Sequence, residues 1–107
     1  MSWNDMTPAK AVEQLHECLE NGEIVLTKHF KDELSNECIP FEDAWIVLKY
    51  GRIFTPPEED MRTAEWVYRI EGHEPGGKWI VIAFCFKTLA RANLITIFSV
   101  KSKGKRR

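Results

Sequence analysis

The chain has 107 residues and is 44% hydrophobic, with twelve aromatic side chains. That is the size of one domain, and too apolar for a disordered chain. The net charge is −1, no apolar run approaches the roughly 20 residues that span a bilayer, and the start Met1-Ser2-Trp3-Asn4-Asp5 lacks the basic-then-apolar pattern of a signal peptide. A membrane-spanning helix and a signal peptide are not expected, and a cytoplasmic domain is predicted.

Thr7-Pro8 opens the first predicted helix, since threonine caps well and proline suits the first helical position. Val12, Leu15, Cys18 and Leu19 continue it at helical spacing, and Asn21-Gly22 ends it with a residue able to take positive φ. Ile24-Val25-Leu26 is a short apolar run, either a strand or a docking segment. Thr27 caps a second helix whose buried stripe is Phe30, Leu34 and Cys38. Pro40 ends that helix and starts a third, with Glu42 and Asp43 in its first turn, where the helix dipole favours acids, and Phe41, Ala44, Trp45 and Leu48 on its apolar face.

After Gly51 the period changes from 3.6 to 2. Arg52-Ile53-Phe54 reads as a short strand, and Thr55 to Asp60 as a loop that its prolines keep out of any sheet. Trp66, Tyr68 and Ile70 alternate with Glu65, Val67, Arg69 and Glu71, the pattern of a strand with two different faces. His73 to Gly77 is a hairpin loop. Trp79 to Phe86 is apolar on both faces, as a central strand would be. Leu94 to Val100 is the last strand. The expected fold is α+β, with three N-terminal helices packed on one face of a four-stranded antiparallel sheet. Residues 1–100 are expected to form one domain, followed by a basic, flexible tail.

That tail, residues 101–107, carries Lys101, Lys103, Lys105, Arg106 and Arg107. Without it, ten basic residues face sixteen acidic ones, so the body has a net charge of −6. An acidic body does not by itself attract nucleic acid, whereas a basic tail is a candidate contact for RNA or a protein partner. Cys18, Cys38 and Cys85 form no CxxC pair and lie in apolar patterns, which predicts three reduced, buried thiols. No Gly-rich phosphate loop, HExxH, GxSxG or zinc-finger spacing occurs, so neither a metal nor a cofactor is expected.

Two residues stand out chemically. His29 begins the second helix, with Asp32 and Glu33 one turn on to orient or charge it; it is either a general acid or base, or a boundary histidine bonded to a neighbouring acid. Arg69 sits mid-strand and suits a phosphate, or else a salt bridge to Glu65 or Glu71. Thr96 interrupts an apolar strand; it either projects its hydroxyl from the sheet or is an ordinary β-former. Lys87 and Arg91 read as loop charges between the last two strands.

The stretches Leu26 to Leu34, Ile39 to Ala44 and Val47 to Ile53, followed by Tyr68-Arg69-Ile70, Gly76-Gly77-Lys78, Ile80 to Ala83 and Leu94 to Phe98, resemble a bacterial family known as domain of unknown function 4258. The resemblance covers residues 24–100 and leaves out the first helix. It implies a fold related to the RelE-like and BrnT-like toxins of toxin–antitoxin pairs, and a metal-independent ribonuclease activity. By position it also implies that His29, Arg69 and Thr96 are catalytic, with Lys31 near the family's basic helix positions, and that an antitoxin-like protein is a partner. The other reading is a non-catalytic protein-binding or regulatory module on the same scaffold.

Overall fold

Capping and apolar spacing account for the three helices in the computed structural model, which describes residues 5–100. In α1 (Pro8–Asn21), Thr7 Oγ1 accepts from the Lys10 N–H at 3.3 Å. Thr27 caps α2 (Lys28–Asn36), and Pro40 precedes α3 (Phe41–Tyr50). Thr27 also ties α2 to the sheet. Its oxygen accepts from Phe30 N–H at 3.2 Å, and its hydroxyl donates to the Leu94 carbonyl at 2.8 Å.

Five strands, not four, make the sheet. They are β1 (Glu23–Leu26), β2 (Glu58–Glu59), β3 (Trp66–His73), β4 (Trp79–Thr88) and β5 (Arg91–Val100), in the order β1-β5-β4-β3-β2. The last four form an antiparallel meander, of which β3, β4 and β5 are the strands expected. β1 is the addition: Ile24-Val25-Leu26 is a strand, running parallel to β5 at the sheet edge. It intervenes between α1 and α2, so the helices are not consecutive. Arg52 to Phe54 is not a strand; only a single bridge joins Arg52 to Glu71. Pairing moves instead to Glu58-Glu59, inside the segment expected to stay out of the sheet. The prolines at 56 and 57 stop just short of β2, which lies on an edge, where proline costs no internal ladder bond.

The helices cover one sheet face. Tyr68 and Ile70 of β3, Ile80, Ile82 and Phe84 of β4, and Leu94 and Ile97 of β5 join Leu15, Phe30 and Leu48 in one core. Tyr68 stacks on Phe84 at 5.5 Å, and its hydroxyl accepts from the Met6 N–H at 2.8 Å.

Two local expectations need correction. Gly22 has φ −119, so it is not a left-handed cap; glycine is required because a Cβ there would lie 2.1 Å from the Ala90 carbonyl oxygen. Cys38 is exposed, at φ 56, because the turn before Pro40 lifts it off the stripe of α2. Cys18 and Cys85 are buried, as expected.

Candidate functional site on the open face of the sheet

The face of the sheet turned away from the helices is built in cross-strand rows. Arg69, Ala83 and Thr96 form one row across β3, β4 and β5; Glu71, Val81 and Phe98 form the next. The small Ala83 sits between Arg69 and Thr96, and the three line one shallow groove.

A β-bulge sets the composition of that groove. Ala83 pairs with Thr96 but Phe84 pairs with Leu94, so Ile95 is an extra residue on β5. Without the bulge, Thr96 would share a face with Leu94, in the core. The extra residue turns Thr96 to the open face, in line with Arg69. Both line a cleft of about 270 Å³, together with Ala83, Ile95 and the acidic run Glu58-Glu59-Asp60.

Arg69 is half-exposed, and its Nη1 lies 3.5 Å from Glu58 Oε1. The expected partners are engaged elsewhere. Glu71 is buried and accepts from Trp79 Nε1 at 3.0 Å. Glu65 accepts from Cys85 Sγ at 3.6 Å and from Lys87 Nζ. Burial first, and then the Glu65 charge, push the Cys85 thiol up to about 11 against the opposing pull of Lys87. That thiol stays protonated, and so does not act as a nucleophile near neutral pH.

His29 stands apart from this groove. It lies in the first turn of α2, with its side chain 63% exposed and Nε2 4.0 Å from Glu33 Oε2. Asp32, the other expected partner, is paired with Lys28 at 3.0 Å. Lys31, two residues on, is exposed. The structure therefore brings Arg69 and Thr96 together on one face, while His29 is not among the residues lining their cleft. α2 does pack along β5, the strand that carries Thr96. Lys87 and Arg91 are not loop residues: they end β4 and begin β5, and are paired with Glu65 and Glu23. Lys101, Lys103, Lys105, Arg106 and Arg107 lie outside the described residues.

Glu58 is the participant that sequence reasoning missed. It follows two prolines in a polar loop, and no local pattern connects it to a strand residue eleven positions on. Among the described residues, no group of three His, Cys, Asp or Glu side chains is arranged to hold a metal ion. What the face offers is a guanidinium that can bind a phosphate, a hydroxyl that can donate to it, and carboxylates that can accept a proton.

No family model matches the chain, and no curated protein does. A solved structure does. The fold is similar to that of the ribonuclease toxin BrnT of Brucella abortus, with a TM-score of 0.54 and 13% identity over 77% of this chain and 100% of that one. The chain thus has a toxin-like α+β fold. No helix among the described residues is long and apolar enough to cross a membrane.

Proposed function

We propose that this chain is a toxin-type endoribonuclease that cleaves RNA without a metal, on the open face of its sheet. The observation that carries the reading is the row Arg69-Ala83-Thr96, which a bulge creates on a fold similar to that of a ribonuclease toxin. In this reading Arg69 holds the scissile phosphate and Thr96 donates a hydrogen bond to it. The resemblance assigns proton transfer to His29, which stands apart from the cleft; within the cleft the carboxylates of Glu58, Glu59 and Asp60 are the groups able to take the proton. A base takes the 2′-hydroxyl proton, the 2′-oxygen attacks phosphorus, and the 5′-oxygen leaves with a proton from an acid. The products are a cyclic 2′,3′-phosphate and a free 5′-hydroxyl. The resemblance to family 4258 supports the same assignment. An antitoxin-like protein partner and a cytoplasmic location belong to it, with Lys31, Lys87, Arg91 and the basic tail residues as further contacts.

The test is induced expression in a bacterial host, beside RNA cleavage by the purified chain. Wild type should arrest growth and cut RNA in the presence of a chelator, whereas Arg69→Ala should do neither while melting normally; loss of cleavage in His29→Ala would assign the proton transfer to His29, and retained cleavage would assign it to the carboxylates of the cleft. Equal growth of all three strains, with no cleavage by wild type, would remove the reading.

A second reading is a non-catalytic binding module. Its support is the acidic run Glu58-Glu59-Asp60 around Arg69, with the cations Arg69, Lys87 and Arg91 already paired to carboxylates. A stoichiometric protein partner, together with no RNA turnover, favours it.

A further inference from the structure

A second cleft, of about 350 Å³, opens where the chain leaves α3 and crosses the edge of β3 to reach the open face. Its lining is unusual: the aromatic rings of Tyr50, Phe54 and Trp79, the charged Arg52 and Glu71, two glycines, and no aliphatic side chain. Its volume is near the lower end of the roughly 300–1,000 Å³ of ligand clefts.

Two of its rings face water. Tyr50 is 74% exposed and Phe54 45% exposed. They are not carried on a loose loop. Arg52 and Glu71 exchange both backbone hydrogen bonds, each 2.9 Å, so the segment between the two rings is fixed to β3. The Phe54 ring lies 6.2 Å from that of Trp79, whose indole is oriented by its bond to Glu71. Cations interleave with the rings: Lys49 Nζ is 5.7 Å from the centre of Tyr50, and the exposed Arg52 lies between Tyr50 and Phe54 in the chain.

We infer that this cleft binds an unpaired base of single-stranded RNA, held against Tyr50 and Phe54, with the adjoining phosphate on Arg69. The inference rests on the reading of the open face as an RNA surface, and it adds a specific subsite. Flat rings, glycine backbone and cations suit the π-face of a base, whichever base it is. A partner helix would call for aliphatic anchors, which the lining lacks. The geometry joins the two clefts: Glu71 in one and Arg69 in the other project from the same face of β3 two residues apart, about 7 Å, the order of one nucleotide step.

The probe is a short fluorescent single-stranded RNA, methylated at its 2′-oxygens so that it binds without being cleaved. Binding is read by anisotropy at low salt. Tyr50→Ala and Phe54→Ala should each weaken it about fivefold or more, the lower range for one stacked base. Phe41→Ala, which removes another half-exposed ring on α3 away from the cleft, should leave it unchanged. A probe with its bases removed should bind Tyr50→Ala and wild type alike. Wild-type affinity in both cleft variants, or no RNA binding by wild type, overturns the inference, as does capture of a protein partner that depends on Tyr50 and Phe54 when RNA binding does not. The two readings fail separately. Binding that depends on the rings without any cleavage removes the ribonuclease and keeps the base cleft. Cleavage that depends on Arg69 but not on the rings does the reverse.

Discussion

The two faces of the sheet use the same strands for opposite ends. On the helix side, Tyr68, Ile70, Ile82 and Phe84 are wholly buried in one continuous core. On the open side, Val81, Ala83 and Cys85 of β4 are buried as well, in register with Glu71 and Phe98, with Arg69 and Thr96, and with Asn93. Arg69 and Lys87 there pair with carboxylates in largely exposed salt bridges, a kind that contributes little stability. Period two lets adjacent residues belong to different environments, so stability is concentrated on one face while the other can carry chemistry.

Substitutions can break or sharpen that contrast. The largest effect should come from the covered face. Ile82→Ala should lower stability by about 2–5 kcal/mol, read from its urea midpoint, and an unchanged midpoint would mean that the core is not packed as described. On the open face the order reverses. Arg69→Ala should leave the melting temperature nearly unchanged but cut RNA cleavage by roughly 10²- to 10³-fold, as for loss of one charge-stabilising donor. A large loss of stability with it would show that Arg69 is structural.

Glu58→Gln should change stability by less than about 1 kcal/mol. It should also strengthen RNA binding, because a phosphate no longer has to displace a carboxylate from Arg69; weaker binding would mean that Glu58 orients Arg69 rather than competing for it. The thiols report on burial. Cys38 should react promptly with a disulfide reagent in the native protein, while Cys18 and Cys85 wait for unfolding, both being buried and pushed up to about 11. Prompt reaction that survives in Cys38→Ser would contradict the burial of the other two.

The smallest effect concerns Asp43, in the first turn of α3. Its carboxyl is held above the usual value by burial, then by a hydrogen bond to Glu74 and repulsion from Glu74 and Glu42, with Lys78 opposing. A raised value favours the folded state when the group is protonated. That contribution is fully present below the ordinary value of 3.8 and is lost as pH rises through the folded value. Asp43→Asn mimics the protonated form, so it should melt slightly higher than wild type at pH 7, and the gap should close in acid. A gap that widens in acid has the wrong sign.

What the sequence determined by itself was whatever depends on near neighbours. Thr7 and Thr27 mark helix starts because a cap bonds to an N–H three residues on. Trp66, Tyr68 and Ile70 reveal their face because a strand alternates side chains whatever lies beside it. Tertiary structure decided what depends on distant partners. β1 is a strand because Arg91 to Leu94 pair with it from the far end of the chain. Arg69 pairs with Glu58 rather than its strand neighbours because β2 docks on the adjacent edge. Thr96 faces Arg69 rather than the core because one extra residue at Ile95 reverses the alternation, and a bulge exists only relative to the strand it pairs with.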